Sequence, residues 1–250
     1  MSGKIGATAR KSTKKSSRGR TNSARGLTEP RWNSNVLFTV GLVVLAAVMI
    51  GGLIAISKLG GDDPAPAGST AANEALVRSD SHKLSTAADG KVTVVEFLDF
   101  ECESCGAAYP GVEKLRAEYK DKITYVVRYF PIQSHPNAMN AARAAEAAAK
   151  QGKFEAMYVK LFDNQTTWGH KQEAQTKAFE GYAREIGLDL GKFRADVADA
   201  STEQRITKDS DDGQTVGVQG TPTFFINGER FTDDATYEGL KAAVDAALAK

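Results

Sequence analysis

Hydrophobic positions fall into three regimes along the chain. Val36 to Ser57 (VLFTVGLVVLAAVMIGGLIAIS) runs 22 residues without a charge. At 1.5 Å per residue this is long enough to cross a bilayer core of about 30 Å. From about residue 82 the apolar blocks become short and alternate with polar breaks. Lys91 to Phe100 (KVTVVEFLDF) is β-branched and nearly continuous, as expected of a buried central strand. Helical spacing follows over Tyr109 to Tyr119, with Pro110 inside it and expected to kink it. Ile123 to Phe130 (ITYVVRYF) reads as a second strand. The three segments predict a β-α-β unit with parallel strands and a right-handed crossover.

A helical block comes next. Asn137 to Lys150 (NAMNAARAAEAAAK) is dense in alanine and stops at Gly152, where a helix end is expected. Phe154–Phe162, Ala174–Ile186, Leu190–Ala198 and Glu203–Val216 continue the helical pattern, separated by Gly, Asp and Asn. Gly220 to Arg230 (GTPTFFINGER) predicts two short strands joined at Asn227-Gly228, a strong hairpin signal. Thr236 to Ala249 is amphipathic and predicts a closing helix. The outline is an α/β fold: β-α-β, a helical block over about 137–216, then β-β-α.

Charge places these parts. The net charge is only +1, but residues 1–57 carry nine basic side chains against Glu29 alone, or +8, which leaves −7 for residues 58–250. Residues 1–35 are rich in Ser, Gly, Lys and Arg, with too little apolar surface to offset the entropy of ordering. A basic flank marks the cytoplasmic side of a span. The expected arrangement is a disordered cytoplasmic tail (1–35), a single transmembrane helix (36–57), a flexible linker (58–81) and an extracytoplasmic domain (82–250). Three other readings of the N-terminal part remain: a nucleic-acid-binding arm, for which anionic headgroups are the simpler partner; a buried core helix, which nothing nearby could cover on all sides; and a cleaved signal peptide with Ala65-Pro66-Ala67 as its processing site.

The chain has two cysteines, Cys102 and Cys105, in the segment FLDFECESCGAAYP. Thiols at i and i+3 on one helical turn meet the Cα separation of about 4.4–6.8 Å that a disulfide needs. Outside the cytoplasm such a bond forms and persists, and no third cysteine competes for it. Cys102 falls just before the first turn of its helix, where unpaired N–H groups stabilise an anion. Its thiolate should therefore form readily and act as the attacking sulfur, with Cys105 one turn inside as the resolving one. Between them, Ser104 can offer a hydroxyl to the thiolate. Glu103 brings a negative charge that should limit its stabilisation. That charge should move the redox potential toward the reducing end of the scale, where thioredoxin lies at about −270 mV.

These segments, VVEFLDFECESC, RYFPIQSHPNAMNAARAAEAA and GTPTFFING, resemble the DsbA-like thiol-disulfide oxidoreductases, a thioredoxin fold with a helical insertion. The resemblance covers about residues 82–250. It implies a proton-transfer role for Glu96, six residues before Cys102, and a cis bond at Thr221-Pro222 facing the cysteines and binding substrate. It implies an enzyme that exchanges disulfides with exported proteins carrying free or mispaired cysteines, and a membrane redox partner linked to quinone. No cofactor is expected beyond the Cys102–Cys105 disulfide, nor any metal or nucleic acid, and a monomer is expected; an isomerase is disfavoured, because no dimerisation domain precedes residue 82. His135 is expected to satisfy the core or start a helix, Trp168, Tyr129 and Phe130 to be core residues, and His82 and His170 show no ligand spacing.

Alternatives stay open at this level. The domain could be a reductase, for example in cytochrome maturation, which the acidic Glu103 favours. It could be a redox-inactive binding module on the same fold. A metal site is a further reading, but two cysteines supply half of a four-ligand zinc site, so dimerisation would be required.

Overall fold

The computed structural model describes residues 74–250. The basic tail, the apolar run at 36–57 and most of the linker lie outside the described residues. No helix among the described residues is long and apolar enough to cross a membrane.

A five-stranded sheet forms the centre, its strands β1 (His82–Ser85), β2 (Val92–Leu98), β3 (Ile123–Tyr129), β4 (Thr223–Ile226) and β5 (Glu229–Arg230) lying in the order β1-β3-β2-β4-β5. β2 (Val92–Leu98) and β3 (Ile123–Tyr129) are parallel, with Val94 opposite Tyr125 and Glu96 opposite Val127. α1 (Glu103–Glu118) connects them, with Pro110 inside it. β4 (Thr223–Ile226) runs antiparallel to β2, and β5 (Glu229–Arg230) turns back from it. The hairpin turn is at Asn227-Gly228, both at positive φ (50° and 85°), as expected of the tight primed turns that favour this dipeptide.

Both faces of β2 and β3 are covered, which is why their sequences lack alternation. Val92, Val94 and Leu98 join Tyr125, Val127 and Tyr129 in the larger core cluster. α1 packs there through Cys105, Val112 and Leu115, and α8 (Tyr237–Leu248) through Leu240 and Val244. Val95, Phe97, Val126 and Phe130 form a second cluster on the opposite face with Leu76, Val218 and Phe225. Fully burying each aliphatic side chain contributes about 1.5–3 kcal/mol, so the two faces together anchor the strand end that carries the cysteines.

The helical insertion consists of α2 (Ala138–Ala149), α3 (Phe154–Asp163), α4 (Gln165–Trp168), α5 (Thr176–Glu185), α6 (Leu190–Ala198) and α7 (Ala200–Thr215). Ala141, Ala144, Ala145 and Ala148 of α2 are buried in the larger cluster. Their small side chains let neighbouring helices approach closely.

Three sequence expectations need correction. The pattern gave no strand before residue 91, yet β1 (His82–Ser85) pairs antiparallel with β3. It is four residues long, half-buried and irregular in register between Lys83 and Ser85, so its period is too short to detect. The linker placed at 58–81 does not reach residue 81. Ala75 and Leu76 are buried, and both their carbonyls accept hydrogen bonds from Arg128 Nη1 at 2.7 Å. The one-turn helix α4 was also missing from the pattern, because four residues carry no periodicity.

Candidate functional site

The cysteines lie where β2 ends and α1 begins. Cys102 is the N-cap of α1 (φ −68°, ψ 123°), its N–H donates to the Asp99 carbonyl at 3.1 Å, and its carbonyl accepts from Gly106 N at 3.0 Å. Both cysteines are free thiols. Cys102 keeps 8% of its surface exposed and Cys105 only 1%, so Cys102 is the more accessible sulfur.

Their electrostatics diverge. Hydrogen bonding from the Cys105 thiol lowers the Cys102 pKa most; burial opposes it. The Thr221 side chain and the N–H groups of Cys105 and Ser104 add to the lowering, which brings Cys102 to about 5. As a thiol, Cys102 Sγ donates to the Thr221 carbonyl at 3.3 Å. The buried Thr221 hydroxyl makes no other hydrogen bond among the described residues and is free to donate to the thiolate. Cys105 moves the other way: burial, the adjacent Cys102 and the Glu96 charge push it well above the ordinary thiol value. One sulfur is therefore a thiolate at neutral pH and the other a retained thiol.

Glu96 lies beneath them on β2, 2% exposed, with its Oε2 accepting from Tyr125 Oη at 2.7 Å. Burial raises its pKa to about 7, with the Tyr125 hydroxyl holding it down in part. A carboxyl poised there can give or take a proton near neutrality. Thr221-Pro222 is cis, and the two residues lie across from the cysteines. The structure thus brings Cys102, Cys105, Glu96, Thr221 and Pro222 together.

The two intervening residues behave differently from expectation. Ser104 acts on the thiolate through its N–H rather than its hydroxyl. Glu103 points outward: its side chain is 75% exposed and its Oε1 lies 3.0 Å from His170 Nε2. Because it starts the helix, its side chain projects into solvent and its charge does not figure among the main influences on Cys102. The sequence placed Glu103 next to the thiolate along the chain; the helix geometry turns it away.

Several site residues escaped the sequence. Gln165 of α4 donates through Nε2 to the carbonyls of Phe100 and Cys102, both at 2.8 Å. Gly106 makes room for it, since a Cβ there would lie 2.0 Å from Gln165 Oε1. Glu101, fully buried, accepts from Asn137 N at 2.6 Å and His170 N at 2.7 Å. Asp99 accepts from Glu101 N, Ile132 N and His135 Nδ1. Burial lowers the His135 pKa, but the Asp99 bond and charge outweigh it, with a further rise from the Cys102 thiolate. His135 thus satisfies a buried acid, as its sequence position suggested. Glu101 and Gln165 act through contacts 36 to 69 residues away in sequence, which no local pattern carries. Among the described residues no group of three or more His, Cys, Asp or Glu side chains is placed to hold a metal ion.

Comparison with known proteins places this geometry. A family model described as thioredoxin matches residues 86–246. A thioredoxin-like oxidoreductase of Silicibacter pomeroyi is 30% identical, with a TM-score of 0.60 over 71% of this chain and 98% of that one. The thiol-disulfide exchange protein alpha-DsbA2 of Wolbachia pipientis (24% identity, TM-score 0.59, 71% and 92% covered) shares the fold. So does BdbD of Bacillus subtilis (22% identity, TM-score 0.60, 68% and 94% covered). Among curated proteins, the Na(+)/H(+) antiporter NhaA 3 of Salinispora tropica is 42% identical over 162 residues, 64% of this chain and 24% of that protein. The Na(+)/H(+) antiporter NhaA 1 of Mycolicibacterium vanbaalenii is 39% identical over 145 residues, 57% and 22% respectively. The chain therefore spans about a quarter of the length of these curated relatives. With two free thiols on one helical turn and a family match over most of the described residues, the chain belongs to the thioredoxin family.

Proposed function

We propose that this protein is a membrane-anchored oxidase of exported proteins, with its catalytic domain on the extracytoplasmic side. The observation that carries the oxidising direction is the asymmetry between the two sulfurs. The groups converging on Cys102 stabilise its thiolate, which exists in the reduced enzyme and in no disulfide. Stabilising the reduced form makes the disulfide a stronger oxidant. With Glu103 turned to solvent, the acidic dipeptide no longer argues for a reductase.

In the reaction, a substrate thiolate attacks Cys102 Sγ of the disulfide. The Cys102–Cys105 bond breaks and Cys105 leaves with the electron pair, taking a proton from Glu96. A second substrate thiolate attacks the substrate sulfur of the mixed disulfide and releases Cys102 as thiolate. The substrate gains a disulfide and the enzyme gains two electrons. The enzyme needs no cofactor beyond its own disulfide, and works as a monomer. A quinone-linked membrane partner would reoxidise it, and co-anchoring would raise the effective concentration of that encounter.

A groove of about 540 Å³ beside the cysteines supports peptide binding. Ser104, Ala108 and Gly111 of α1 face Pro222 and Tyr237 across it. Small side chains leave the floor open to an extended segment, whose backbone could pair with that of Thr221. The uncharged run at 36–57 and its basic flank support the anchor and its orientation.

Equilibrating the full-length protein, purified in detergent, against glutathione mixtures tests the direction. The expected potential is well above that of thioredoxin, which is about −270 mV. A value at or below thioredoxin's, with the cysteines mostly dithiol in cells, would assign a reductase instead.

A further inference from the structure

We propose that Tyr125 is a positioning residue of the exchange reaction: its hydroxyl orients the Glu96 carboxyl and keeps it available as the proton acceptor for Cys105. The inference rests on the proposed roles of Cys102, Cys105 and Glu96. Its basis is geometric. Tyr125 is fully buried on β3, two residues before Val127, the strand partner of Glu96. The Tyr125 hydroxyl is the one hydrogen-bond partner of the Glu96 side chain among the described residues. A phenol cannot rotate away in a packed core, so the bond fixes which carboxylate oxygen is held and leaves Oε1 without a hydrogen-bond partner among the described residues.

The other ionisable groups around Glu96 do not supply that partner. Arg116 of α1 is the cation whose charge favours ionisation of Glu96, but its guanidinium is engaged by Glu113, Glu155 and the Leu84 carbonyl. Glu113 carries like charge and opposes ionisation of Glu96. Tyr158 of α3 is a buried phenol that feels the Glu96 charge, and Cys105 of α1 feels it too. A neutral donor therefore does here what a cation would do with greater force. It offsets part of the burial cost and holds the carboxyl at about 7, where both protonation states are populated in use. Burial and the Glu96 charge also push Tyr125 well above the ordinary phenol value, so it remains the donor throughout.

The step it serves is resolution of a mixed disulfide on Cys102. Glu96 takes the Cys105 proton, the Cys105 thiolate attacks Cys102 Sγ, and the bond from Cys102 to the outer sulfur breaks. The outer thiolate leaves with the electron pair. The enzyme dithiol is oxidised to the Cys102–Cys105 disulfide, and the outer disulfide is reduced.

Ellman's reagent separates the steps on the reduced full-length protein in detergent. Cys102 releases the first thionitrobenzoate and Cys105 the second, so the rate of the second release against pH reads the Glu96–Cys105 pair as a unit. Tyr125→Phe keeps the ring and removes the bond. Its profile should move up by about one pH unit, the size of one hydrogen bond to a charged group. At pH 7 the second release should then slow by about fivefold, because less of Glu96 is ionised. Glu96→Gln should remove the midpoint near 7, and adding Tyr125→Phe to it should change nothing more. Superimposable profiles for the wild type and Tyr125→Phe, both folded by circular dichroism, would overturn the positioning role. A pH shift that persists in the Glu96→Gln background would overturn it as well, since Tyr125 would then act on the sulfurs directly. Absence of any second release in the wild type would instead overturn the exchange reaction itself.

Discussion

Cys102 and Cys105 are three residues apart and feel opposite surroundings. Cys102 accepts from the Cys105 thiol, and with the Thr221 side chain and the first N–H groups of its helix adding to this it is lowered to about 5; Cys105 is enclosed and pushed well above the ordinary thiol value. The first expected outcome follows from this. Alkylation of the reduced protein by iodoacetamide should show a midpoint near pH 5, and Glu103→Gln should move that midpoint by less than about half a unit, since an exposed charge pair contributes little. A drop of a full unit in that variant would mean that Glu103 does act on the thiolate. Stability carries the same signature with a definite sign. The folded-state value of Cys102 is depressed, so the dithiol form gains stability that is fully present above about pH 9, the ordinary value, and lost as the pH falls toward 5. Glu96 has the opposite sign: its raised value stabilises below its ordinary 4.5, and that contribution is lost as the pH rises through about 7. Glu96 is present in both oxidation states. The difference in Tm between dithiol and disulfide forms should therefore increase in favour of the dithiol between pH 5 and 8, as followed by thermal melts.

At the scale of elements, the turn before α1 is held from the helical insertion. Gln165 binds two of its carbonyls and the His170 N–H binds Glu101. The insertion thus braces the redox turn from outside the β-α-β unit. Gly106→Ala places a methyl where the Gln165 amide lies and should expel it, costing about 1–3 kcal/mol through the two unmade bonds. Adding Gln165→Ala should cost less than the sum of the two single changes, because the clash is then gone. Urea unfolding midpoints check both. Additive costs would show that Gly106 and Gln165 are independent. The β-α-β unit, the Asn227-Gly228 hairpin and the alanine-rich helix were legible because each carries its own periodicity or turn chemistry. β1 and α4 were not, since four residues define no period and their stability comes from the surfaces they cover.

Across the whole described domain, α7 is joined to the sheet by charge as well as apolar contact. Arg128, with no exposed surface, bonds Asp209 Oδ1 at 2.8 Å and Asp212 Oδ2 at 2.6 Å. Its other donor grips the carbonyls of Ala75 and Leu76. One side chain thereby ties the segment before β1, the sheet and the end of the insertion together. Arg128→Met should destabilise the domain by about 3–5 kcal/mol, because two carboxylates and two carbonyls lose a buried partner. Hydrogen exchange should show residues 74–78 losing protection before the sheet does. A loss under about 1 kcal/mol would mean that Arg205 and Arg78, which also pair with these aspartates, suffice alone.

The sequence by itself determined the chemistry and the scaffold: two cysteines on one helical turn after a buried strand, an acid six residues earlier, and Thr221-Pro222 ahead of the hairpin. Each of those features is local to its own segment, and local spacing sets only which atoms within a segment can meet; Thr221 reaches Cys102 across 119 residues through the fold. The tertiary structure decided what surrounds them. It turned Glu103 toward His170, set Tyr125 against Glu96, and brought Gln165 onto the turn that carries Cys102. Each of these joins groups 29 to 67 residues apart in the chain. Burial and hydrogen bonding, which set the charge states of both sulfurs and of Glu96, depend on those distant neighbours and exist only once the chain has folded.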